Sequence, residues 1–144
     1  MKHILKSLFI GVATILLASS CQKKEQQFEK TFIDTWTIDY LEVWGQESEL
    51  TGTVTFSKKK SDFTSEYAIT ANFYKGEFNF SDGSSVPFSY EYFQQLSNED
   101  MRVNIWLNDE TFAPVFTEML TKDTWIFFFS GYEGVPSNKY YLSK

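Results

Sequence analysis

The sequence predicts an all-β protein: a small antiparallel up-and-down β-barrel of about eight strands that follows an N-terminal export signal. Apolar residues beyond position 33 repeat with a period of two, and no helical stripe is evident there. Turn-forming clusters interrupt these runs at short intervals. A length of 144 residues suits one domain.

The alternation can be followed along the chain. Trp36, Ile38 and Tyr40 alternate with Thr35, Thr37 and Asp39, and Val54 and Phe56 alternate with Thr53, Thr55 and Ser57. Tyr67, Ile69, Ala71 and Phe73 share one parity, as do Val86, Phe88, Tyr90 and Tyr92. Val103, Ile105 and Leu107 alternate with Arg102, Asn104 and Asn108. Turns fall at Gly45–Glu49, Lys58–Asp62, Asp82–Gly83, Leu96–Asp100, Asn108–Thr111, Lys122–Asp123 and Gly131–Asn138. The expected strands are 34–44, 50–58, 64–74, 76–81, 85–94, 101–108, a hairpin of 113–121 with 124–130, and 139–143, with 76–81 and 85–94 as a hairpin or one bent strand. Such a set allows a sandwich or a barrel. Short connections favour a meander, and closure of an eight-stranded barrel leaves no exposed edge.

The first residues read MKHILKSLFIGVATILLASSC. Lys2 and Lys6 make a basic start, Leu8–Leu17 is an apolar run, and Ala18-Ser19-Ser20 are small. This is the three-part layout of a secretory signal over residues 1–20, with a run too short to span a bilayer. Leu17-Ala18-Ser19-Ser20-Cys21 resembles the lipobox of bacterial lipoproteins. That resemblance implies acylation of Cys21, palmitate among the chains, and cleavage just before it. Ala18 and Ser20 also suit the ordinary signal peptidase, which leaves a secreted protein as the alternative. Cys21 is the sole cysteine, so no internal disulfide can form, and acylation removes a reactive thiol. Residues 21–31 then form the lipidated N-terminus and a polar tether, with at most a single helical turn around Gln26–Thr31, and 32–144 form the barrel. Gln22-Lys23-Lys24-Glu25 partly resembles the charged tag that sends some Bacteroidota lipoproteins to the cell surface. Lys24 stands where that tag has an acid, which leaves the membrane face open.

Charge narrows the partners. The signal holds two of 13 basic residues and none of 19 acidic ones, so residues 21–144 carry 11 against 19, a formal charge of −8. A basic nucleic-acid footprint is absent, and anionic lipid headgroups are disfavoured. Membrane attachment therefore rests on lipid at Cys21.

Phe32-Ile33-Asp34-Thr35-Trp36-Thr37-Ile38 resembles the opening strand of lipocalin-like domains, where a tryptophan closes the barrel base. Met119–Phe127 and Tyr140-Tyr141-Leu142-Ser143-Lys144 resemble the last strands of lipocalin-like lipoproteins of the Bacteroidota type. The resemblance implies a lipocalin-like barrel in an envelope lipoprotein, anchored at the outer membrane and binding a small apolar ligand. Fold alone does not fix function.

Tyr40, Phe56, Ile69, Phe73, Phe88, Tyr90, Ile105, Trp125 and Phe127 are the candidate interior. They line an apolar ligand pocket, with tyrosine hydroxyls as orienting groups, or they fill a solid core. Trp36 and Lys144 are expected to meet at the barrel base as a structural cation–π pair, unless Lys144 is a frayed terminus. Trp106, Ile126 and Phe128 fall on the outer parity, as a partner patch or beneath the N-terminal segment through Phe28 and Phe32.

Enzyme chemistry finds few tools. The one histidine, His3, leaves with the signal; there is no free thiol and no Gly-rich phosphate loop, and the acids are scattered. No enzyme activity and no cofactor are expected. The acidic runs Asn98-Glu99-Asp100 and Asn108-Asp109-Glu110 lack calcium-loop spacing and read as solvated turns, so no metal is expected. The expected function is small-ligand binding by a monomeric barrel. The alternative is a solid barrel whose outer face acts as an interaction or inhibitor module on another envelope protein. Interior volume separates the two.

Overall fold

The computed structural model describes residues 23–96, 100–131 and 137–144. The signal segment and Cys21 lie outside the described residues. The chain divides into two compact units, Met1–Lys30 and Thr31–Lys144. Residues 23–32 are helical, a longer helix than the single turn expected around Gln26–Thr31, in keeping with straight-chain Lys, Glu and Gln, which lose little freedom in a helix.

The second unit is built of nine strands: β1 (Thr35–Val43), β2 (Gln46–Ser48), β3 (Gly52–Lys60), β4 (Tyr74–Phe80), β5 (Ser85–Gln94), β6 (Met101–Leu107), β7 (Thr111–Leu120), β8 (Thr124–Phe129) and β9 (Asn138–Ser143). From β3 to β9 each strand pairs antiparallel with the next, and β1 pairs with both β3 and β9. The result is a closed eight-stranded antiparallel barrel with β2 as one extra strand folded back on β1, the architecture expected of a lipocalin-like barrel. The β2 segment lies where a turn was expected. Trp44 and Gly45 adopt φ of 52° and 75°, which makes the tight hairpin that returns the chain along β1.

The interior is a stack of rings. Phe56 packs on Phe32, Phe88, Tyr90 and Trp125 at centroid separations of 5.6, 5.2, 5.2 and 5.1 Å. Trp36, Tyr90, Trp125 and Phe127 are fully buried. The Tyr90 hydroxyl donates to the Ser57 carbonyl at 2.8 Å. That carbonyl sits where the β3–β4 register shifts, so a buried polar tip meets a backbone acceptor there.

Two departures from simple alternation move residues off the expected interior. In β1 the register against β9 shifts between Ile38 and Tyr40, inserting Asp39 as an extra residue. Leu41 therefore turns inward and is buried, while Tyr40 turns out and packs edge-on against Tyr141 at 5.0 Å. Tyr40 is not an interior residue.

Residues 61–73 are not a strand. Ser61, Ser65 and Thr70 hydroxyls accept from the backbone N–H of Phe63, Tyr67 and Asn72, two residues on in each case. These local turns satisfy the backbone without a neighbouring strand. The segment becomes a strap over the outer face of β5 and β6. Ile69 lies on it, 65% exposed; Phe73 is buried, but outside the barrel, against Phe63 and Trp106 at 5.1 and 5.2 Å. Trp106 is thus covered by the strap. Phe32 lies in the barrel core, and Phe28 belongs to the first unit.

Glu91, on the outer face of β5, fastens the strap. Its Oε1 accepts from Ile69 N at 3.0 Å and Asn104 Nδ2 at 2.9 Å, and its Oε2 accepts from Thr70 N at 2.7 Å. The carboxylate is fully buried. Glu91→Ala should cost about 2–4 kcal/mol in denaturant unfolding, because one buried and two half-buried donors lose their acceptor, and should open 61–73 to limited proteolysis. Glu91→Gln should cost less, since a flipped Asn104 amide can accept from the new one. Unchanged stability and cleavage in the alanine variant would show that the rings alone hold the strap.

Gly76 in β4 is required by the core. A Cβ there would stand 2.2 Å from a ring carbon of Phe88 and 2.8 Å from the Thr55 carbonyl oxygen. Gly76→Ala should destabilise by about 1–3 kcal/mol through overpacking; a melting temperature equal to that of the parent would mean the ring moves aside freely.

Candidate functional site

In a closed meander, alternate turns gather at one end. The β4–β5 and β6–β7 turns and the facing ends of β8 and β9 surround a half-open cup of about 390 Å³. β4 contributes Phe78 and Phe80, β5 contributes Val86, and β6 contributes Leu107. β7 adds Thr111, Phe112, Ala113 and Pro114; β8 adds Phe129, β9 adds Asn138 and Tyr140, and Ser130 and Ser137 flank these two strands.

Its floor is aromatic and closed. Phe78 lies 5.2 Å from Phe88 and 5.2 Å from Tyr140, and Tyr140 stacks on Phe127 at 5.0 Å. Beneath these rings the core is filled. The described lining carries no Asp, Glu, Lys or Arg. Its polar groups are hydroxyls and one amide, with Asn138 Nδ2 donating to the Tyr140 hydroxyl at 3.4 Å. Burial pushes the Tyr140 phenol up to about 12, against a smaller opposing effect of that Asn138 bond.

None of the nine expected pocket residues lines this cup. Phe56, Phe88, Tyr90, Ile105, Trp125 and Phe127 are buried in the packed core. Tyr40, Ile69 and Phe73 lie outside the barrel for the reasons given above. The cup residues carried a weaker signal. Phe78, Phe80, Leu107, Phe129 and Tyr140 each flank one of three alternate turns, a placement that matters only once the meander has closed.

The opposite end is chemically different. Lys144 Nζ lies 4.4 Å from the centroid of the Trp36 ring, 3.1 Å from Asp34 Oδ2 and 2.9 Å from the Thr31 carbonyl oxygen. Trp36 Nε1 donates to the Phe32 carbonyl at 2.9 Å. The Asp34 carboxyl is held below its ordinary range, first by the Thr35 N–H and then by Lys144. This end is a plug, and a cation–π contact of this kind contributes about 0.5–1 kcal/mol.

On the outer wall, Phe116 and Phe128 stack at 5.4 Å beside exposed Met119. The strap tip Tyr67 lies over the cup-rim Phe112 at 6.4 Å. Asn108 and Asp109 are the central residues of the β6–β7 hairpin turn, at φ of 52° and 56°. Asn98 and Glu99, of the other acidic run, lie outside the described residues.

Tyr140 allows a pH test. Its phenol ionises near 10 when unfolded and at about 12 when folded. The folded state keeps the proton that the unfolded chain releases, so stability is intact below pH 10 and falls as pH rises towards 12. The expected loss is about 1.4 kcal/mol per pH unit in that window. Tyr140→Phe should flatten this part of the profile, measured by urea unfolding; an unchanged slope would show that the phenol is open to water.

No known protein family, curated protein or solved structure matches the chain.

Proposed function

We propose that this chain is an envelope lipoprotein, anchored through lipid on Cys21, whose barrel binds a small apolar molecule in the cup at its open end. The observation that carries the binding role is the cup itself. A half-open hollow of about 390 Å³ walled by Phe78, Phe129, Leu107 and Tyr140 falls at the small end of ligand-pocket sizes. The packed interior beneath it argues against a deep carrier cavity. A binding role is preferred to catalysis, because the described lining offers no ionisable base active near neutral pH. The anchor rests on the export pattern of residues 1–20 and the single cysteine.

A second reading has its own support. The filled core together with the exposed Phe116–Phe128 stack fits an interaction module that docks another envelope protein.

Prodan, a neutral naphthalene dye whose emission shifts in apolar surroundings, tests the first reading. Wild type should bind it. Ala113→Leu, which extends a wall side chain into the cup, should weaken binding at least tenfold while keeping the melting transition. Equal binding by both proteins, or none by wild type, would remove the cup from consideration and favour the outer wall. In the native host, Cys21→Ala should shift the protein from the membrane fraction to the soluble one; retention after a carbonate wash would refute the lipid anchor.

A further inference from the structure

We infer that the cup selects an uncharged, flat compound of about two fused rings bearing one hydrogen-bonding group, and that it rejects acyl chains and ions. This rests on the binding reading above and narrows it to a ligand class. Four observations on the same hollow support it.

The first is depth. A long chain needs a channel to run along, and among the described residues Phe78 and Tyr140, packed on the buried Phe88 and Phe127, block the way inward. The second is size. A cavity of about 150 Å³ takes one benzene ring, so about 390 Å³ suits two fused rings in a half-open hollow. The third is shape. Phe78 and Phe80 lie parallel, 1° apart in plane at 5.9 Å, and Phe78 is inclined only 31° to Tyr140. Phe78 and Tyr140 are buried beneath the hollow, so the half-buried Phe80 offers the ring face on which a flat aromatic guest can lie.

The fourth is polarity. Thr111 at the start of β7, Ser130 and Ser137 next to β8 and β9, and Asn138 and Tyr140 in β9 bring hydroxyls and one amide, whereas β4, β5 and β6 present only apolar side chains. Tyr140 stays protonated at neutral pH and can donate or accept. A guest with a hydroxyl or carbonyl at one edge meets partners there. A carboxylate would lose water without meeting a cation among the described lining, in a chain whose formal charge is −6. A cation gains the ring faces but finds no carboxylate among the described lining.

Four probes decide the matter by calorimetry and amide chemical shifts on wild type: 2-naphthol, 2-naphthoate, (2-naphthyl)trimethylammonium and laurate. The expected result is that 2-naphthol binds at least tenfold tighter than the other three and shifts the amides of Phe129 and Tyr140. Tyr140→Phe, which keeps the ring and the volume, should weaken 2-naphthol about three- to tenfold with an intact fold. Prodan binding together with naphthoate, ammonium or laurate as tight as 2-naphthol would overturn this selectivity and leave the cup a binding site. Absence of any shift with prodan and 2-naphthol alike would overturn both readings. A change of less than twofold in Tyr140→Phe would remove the hydroxyl from recognition.

Discussion

An eight-stranded barrel has an interior just wide enough for side chains, and here that space is taken by aromatic rings in mutual contact. Phe56 is the hub, touching Phe32, Phe88, Tyr90 and Trp125. The packing is tight enough that β4 must carry glycine where the Phe88 ring crosses it. Because dense interiors leave few voids larger than a water molecule, the cup lies at an end of the barrel rather than inside it. The location of the cup follows from the filling of the core.

The same abundance of rings leaves a remainder outside. Trp106 lies on the outer parity of β6 and would expose a large apolar face without a cover. The strap supplies that cover with Phe63 and Phe73, and Glu91 holds it down. A buried carboxylate is costly, but here three N–H donors take the place of water. Ser89, Glu91 and Asn104, the buried polar residues of the described chain, all sit on this outer face of β5 and β6. The polar network lies outside the barrel and its interior stays apolar.

The two ends of the barrel are consequently unlike. One is closed by Trp36 under Lys144 and Asp34, a charged seal tied to the chain terminus. The other is a cup whose described lining carries no charged side chain. The barrel presents rings at one end and an ion pair at the other, which gives the molecule a direction.

The sequence by itself determined the eight strands of the barrel, though not β2 or the strap, because the period-two pattern of Val103–Leu107 or Trp125–Phe129 and the turns between strands are local properties of the chain. It also placed Trp36 and Lys144 together, since first and last strands must meet when a sheet closes. Only the tertiary structure decided which faces are which. One inserted residue, Asp39, reverses the parity of Tyr40, and no alternation pattern reports a bulge. Over 64–74 the apolar parity matches a strand, yet Ser65 and Thr70 satisfy the backbone locally, and Trp106, distant in sequence, supplies the apolar partner. The cup is assembled from the ends of six strands. Its residues become neighbours only after closure, so no stretch of sequence contains it.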